Sequence, residues 1–186
     1  MLSTTRSRIR ALAAVGLAVA ATAVLTVSTA GSAAAQTTPL IPDIIQPPAG
    51  SKLVGAYVVT KGTQTYTCVV PAGATTGAYT GASVPEAKLF GTGGWLHHFG
   101  GPSWQSVSDG SLVTAARVEG SPRPGTIPEL LLKVTTRTGN GVLSRSDYIN
   151  RLRTSGGVAP TGTCTTGQTA SVAYGSVYVF WDAPGV

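Results

Sequence analysis

Apolar and polar positions alternate in short runs along most of the chain, and the runs recur roughly every ten residues between clusters of Gly, Pro, Ser and Asp. Strands joined by turns in a sandwich or barrel have that spacing. Leu53–Val59 and Gln64–Val70 flank Lys61-Gly62 and predict a hairpin. Ser111–Glu119 places Leu112, Ala116 and Val118 on one face and Arg117 and Glu119 on the other. In the following segment Leu130, Leu132 and Val134 oppose Glu129, Lys133 and Arg137. Thr126-Ile-Pro-Glu129 also fits a capping box that would start a helix. A strand is preferred, because Val134-Thr135-Thr136 is β-branched and Gly139 ends the run early. In Ser171–Trp181, Val172, Tyr174, Tyr178 and Phe180 oppose Val177, Val179 and Trp181, so this segment is apolar on both faces and should be covered on both. No helical period persists elsewhere. The expectation is a single-domain, all-β, antiparallel sandwich or barrel-like fold with long Gly/Pro-rich loops.

The first 35 residues break this pattern. Arg6, Arg8 and Arg10 precede an apolar run from Ala11 to Ala30, followed by Ala33-Ala34-Ala35. Charge, apolar run and small residues in that order make a signal peptide cleaved after Ala35. The rival is an uncleaved anchor, since the run is long enough to span a bilayer. Residues 36–51, with four prolines and no period, suggest an extended tether or a segment laid across the surface. Residues 52–186 have the length of one ordinary domain. Cleavage removes three of the 13 Lys+Arg and none of the seven Asp+Glu, leaving a net charge of +3. The remaining cations are scattered singly, which speaks against a nucleic-acid partner. After cleavage the protein is expected to be secreted, with no membrane association.

Cys68 and Cys164 are the only cysteines, and an even count in an exported chain favours a disulfide. Neither has a neighbour at metal-ligand spacing, and a free exported thiol would oxidise.

Candidate chemistry concentrates in Trp95–Trp104, WLHHFGGPSW, which holds both histidines and two of the three tryptophans. On a strand His97 and His98 point to opposite faces, so they cannot share a metal without a bulge. Further ligands would have to come from Glu86, Asp109, Glu119, Glu129 or Asp147, and no metal or other cofactor is expected. His98 could serve as a general base oriented by Asp109. No nucleophile elbow accompanies it, and Ser103 lies between Pro102 and Trp104 without the strand-turn-helix context of one. Trp95 and Trp104 beside His98 could instead stack on a sugar or another flat ligand. A third reading needs no ligand: one histidine in solvent, the other bonded to the Gly100-Gly101-Pro102 turn, and the tryptophans covering one end of the core. Gly91-Thr-Gly93 and Gly139-Asn-Gly141 lack the rest of a dinucleotide fingerprint.

Five segments in order resemble the secreted bacterial and fungal proteins grouped as domain of unknown function 3455. They are Gly62–Cys68, His98–Trp104, Asp109–Ser111, Ile127–Lys133 and Thr154–Pro160 followed by Cys164. The similarity runs from about Leu53 to Trp181. It implies a compact exported domain, supports Cys68 and Cys164 as the family's two cysteines, and implies no reaction. Glu129 departs from an aromatic position of the pattern, and His97 lies outside it, which singles out His98. The expected role is a binding or structural one outside the cell, towards a cell-wall glycan or a small extracellular ligand. The alternative is a hydrolase-like enzyme using His98 with Asp109.

Overall fold

The computed structural model describes residues 40–185; the expected signal peptide lies outside them. Eight antiparallel strands follow one another around a closed barrel: β1 (Lys52–Thr67), β2 (Val84–Gly91), β3 (Gly94–Phe99), β4 (Ser103–Ser106), β5 (Leu112–Ser121), β6 (Glu129–Thr138), β7 (Tyr148–Gly156) and β8 (Thr169–Asp182). Each strand pairs with the next, and β8 returns to pair with β1 from Lys52↔Asp182 to Thr67↔Thr169. Closure leaves no strand edge exposed. Of the two architectures open from sequence, the molecule adopts the barrel.

Alternation along each strand sends one set of side chains inward. Tyr57, Leu89, Leu96, Trp104, Val113, Ile149, Tyr178 and Phe180 fill the interior, with Tyr57 and Phe180 edge to face at 5.5 Å. Each such burial contributes about 1.5–3 kcal/mol of transfer free energy.

Two segments differ from the pattern read in the sequence. No hairpin forms at Lys61-Gly62; β1 runs unbroken through it with a bulge between Val59 and Lys61. The extra residue there shifts the inward phase from Gly55 and Tyr57 to Gly62, Gln64 and Tyr66. Gly62 serves close packing and not a turn, because a Cβ on it would lie 2.8 Å from the Tyr174 ring and from Val59 Cγ1. In β5, Val113 and Ala115 face the core, whereas Ala116 and Val118 are exposed. Bulges at Thr114/Ala115 and Arg117/Glu119 break the simple alternation.

The segment over Glu129–Thr138 is a strand, and the Glu129 carboxylate accepts hydrogen bonds from the backbone N–H of Arg153 at 2.6 Å and from Arg123 at 3.0 Å. β8 is buried on both faces from Tyr178 to Trp181, whereas Ser171 and Ala173 nearer its start are exposed. Outside it, a short 3₁₀ turn at Asp43–Ile45 brings Ile41 and Ile45 onto Leu131, Leu152, Val179 and Trp181. Asn150 fixes this outer layer: its amide donates to Ile45 O at 2.8 Å and Leu130 O at 3.2 Å and accepts from Trp181 Nε1 at 2.9 Å.

The connections 68–83, 100–102, 122–128 and 157–168 gather at one end of the barrel, those between the other strands at the opposite end. At the first end Cys68 and Cys164 are joined in a disulfide with Cα atoms 5.9 Å apart. The bond clamps the segment leaving β1 to the one entering β8. Backbone pairs Gly77–Cys164 and Val69–Ala78 extend the clamp. For a loop closed across 96 residues, the chain-entropy argument gives about 4 to 5 kcal/mol. The double variant Cys68→Ser/Cys164→Ser should lose about that much in urea unfolding; a loss under about 1 kcal/mol would mean that strain or residual structure cancels the entropic gain.

Candidate functional site: a polar cavity inside the barrel

WLHHFGGPSW folds as β3, a tight turn and β4. Gly101 takes a positive φ of 75°, and Ser103 Oγ donates to the carbonyls of Gly100 at 3.2 Å and Gly101 at 3.1 Å. The strand period then divides the motif between two sides of the wall. Trp95, His97 and Phe99 face outward; Leu96 and His98 face inward, with Trp104 opposite His98 on the neighbouring strand. Trp95 is 47% exposed and packs on Phe90 at 4.9 Å, while His97 Nε2 meets Glu86 Oε1 at 2.7 Å.

His98 is buried. Its ring stacks on the Trp104 indole at 4.3 Å, nearly parallel, and meets Tyr178 at 5.1 Å. Nδ1 lies 2.8 Å from Ser103 O, a backbone carbonyl that can only accept, so Nδ1 carries the hydrogen and Nε2 is a bare acceptor. Burial lowers the imidazole pKa to about 4, with the nearby charges of Arg151 and His97 acting in the same direction against the Ser103 bond. The ring is neutral at physiological pH.

Asp109 has a different task. It sits in the turn between β4 and β5, past the opposite end of the short strand that Ser103 begins. Oδ1 accepts from Ser111 N at 2.9 Å and Ser111 Oγ at 2.6 Å, and Oδ2 from Val142 N at 3.0 Å. These bonds to the charged form hold its carboxyl well below the usual carboxylate range. The carboxylate ties two loops together, and the structure does not bring it to His98. Among the described residues no three His, Cys, Asp or Glu side chains converge as a metal site.

Beside His98 a cavity of about 90 Å³ opens near the disulfide end, its walls including Gln64, Ser83, Trp104, Arg151 and Tyr178. Gln64 Oε1 accepts from Ser83 Oγ at 2.5 Å and its buried Nε2 lies beside the Tyr174 hydroxyl, whereas the buried indole N–H of Trp104 has no partner. Arg151 Nε and Nη2 donate to Pro128 O at 3.1 and 2.9 Å. Sequence reasoning reached His98 and Trp104 but missed Gln64, Arg151 and Tyr178. They lie far apart in the chain, and only the closed register reveals that Gln64 and Arg151 occupy inward positions.

The family model described as a protein of unknown function (DUF3455) matches residues 93–182. This stretch belongs to that family. The DUF3455 region runs from just before β3 to the end of β8, so it contains His98, Trp104, Arg151 and Tyr178 and leaves Gln64 and Ser83 outside. No curated protein and no solved structure matches the chain.

The buried imidazole has a consequence for stability. Its folded pKa of about 4 lies below the ordinary 6.5, so the unfolded chain takes up the proton first as the pH falls. The contribution is complete above about pH 6.5 and lost progressively towards pH 4, about 3 kcal/mol in all at about 1.36 kcal/mol per pKa unit. In His98→Gln the urea-unfolding free energy should vary less with pH across this window than in the parent. Equal slopes would show that His98 is not their source.

Proposed function

We propose that the protein is a secreted carrier or sensor whose barrel binds one small ligand in the cavity beside His98. The unpartnered Trp104 N–H carries this reading. Buried donors are almost always bonded, and leaving one unmade costs about 1–3 kcal/mol. Such a group on a residue that lines a cavity favours an occupant that accepts from it. Eight-stranded barrels are wide enough to hold one small molecule. Export is supported by the signal-peptide pattern over residues 1–35 and by the disulfide.

The hydrolase alternative, with Asp109 orienting His98, draws no support from two groups whose hydrogen bonds serve opposite ends of β4. A glycan reading has another address, the outer hollow lined by Trp95, His97 and Glu86. There, exposed aromatic rings offer stacking area without buried polar recognition.

The two binding readings separate by which indole responds. In ¹H–¹⁵N spectra of the full protein titrated with a fragment panel and with soluble glycans, the Trp104 indole N–H should shift together with Gln64. Movement at Trp95 alone would transfer the site to the outer wall, and no movement at either would overturn ligand binding.

A further inference from the structure

The two buried carboxylates of this barrel, Glu129 and Asp147, and the half-buried Asp182 are each met by a counter-charge. Glu129 is paired with Arg123, Asp147 with Arg137 and Asp182 with Arg145. Arg151 is different. It is half-buried, lines the cavity, and takes part in no ion pair among the described residues. A guanidinium has five N–H donors, and two of them meet one neutral acceptor, Pro128 O. The remainder of the fork and its whole charge are unmatched inside a wall that contains no carboxylate.

Two more donors belong to residues of that wall, the Trp104 indole N–H, buried and unpartnered, and the Gln64 amide N–H, buried beside the Tyr174 hydroxyl. The indole nitrogen can only donate, so no choice of side-chain orientation turns it into an acceptor. A cavity with one uncompensated cation and an unpartnered donor on a lining residue, set against a single bare acceptor, His98 Nε2, is complementary to a single negative charge carried on two acceptor oxygens.

We infer that the cavity receives the carboxylate group of a small organic acid, one oxygen taken by Arg151 and the other by Trp104 or Gln64. The inference rests on the ligand-binding reading above and names its ligand class. Phosphate and sulfate fit less well, because their second charge would be buried without a counter-ion. Size agrees: an apolar cavity of about 150 Å³ takes benzene, so 90 Å³ suits a group of acetate dimensions or the acidic end of a longer molecule.

The test is a set of three NMR titrations of the full, disulfide-bonded protein, with sodium acetate, acetamide and sodium phosphate. Acetate should shift the Trp104 indole and Gln64 amide signals saturably, with acetamide and phosphate at least tenfold weaker. Arg151→Gln should weaken acetate at least tenfold and Trp104→Phe severalfold. Because Arg151 also holds Pro128, Gln64→Leu and Trp104→Phe carry the test should Arg151→Gln fail to fold. Acetamide binding as well as acetate, or phosphate binding more tightly, would overturn the carboxylate assignment. So would silence to all three probes while neutral fragments from the panel shift Trp104, and ligand binding would then survive. Silence to every fragment would remove both readings.

Discussion

The ladder between β1 and β8 closes the wall, and closure is what gives the other strands an inside. Until Lys52–Thr67 finds Thr169–Asp182, the alternation of each segment defines two faces but not which is dry. The pairing joins the ends of the domain, a long-range contact with a large loop-closure entropy. The Cys68–Cys164 bond lies just beyond its far end, where it shortens the effective loop. Bulges in β1 and β5 then curve individual strands and re-aim their side chains, which places Gln64 in the interior.

Strand identity was largely legible in the amino-acid pattern. The last strand read as apolar on both faces because two cores use it, Tyr178 and Phe180 within and Val179 and Trp181 without. The Ile-Pro-Glu segment remained a strand because Leu130 and Leu132 are needed inside, which overrides a local helix-start signal. The bulges were not legible. One extra residue reverses in and out without changing composition, so Lys61-Gly62 looked like a turn and Val118 like core.

The same physics explains the partial view of the site. Two aromatic and two imidazole rings in ten residues draw attention to WLHHFGGPSW, yet the strand period places Trp95 and His97 on one side of a wall and His98 on the other. Ser103 and Trp104 reach His98 from within the motif, but the other cavity residues come from β1, β7 and β8, and no local spacing foreshadows them. Arg151 illustrates the difficulty: within Tyr148–Leu152 it is unremarkable in sequence, and becomes distinctive only once Tyr178 stands opposite it.

The 3₁₀ turn over the outside of β6 to β8 also bears on what trimming of the chain would do. A proteolytic cut beyond Ile45 would leave the barrel closed and its cavity intact, but bare a continuous greasy strip of Leu131, Leu152, Val179 and Trp181. Trimmed molecules would adhere to one another through that strip while still folded. Loss of this one short turn would therefore change the colloidal behaviour of the domain without opening its barrel.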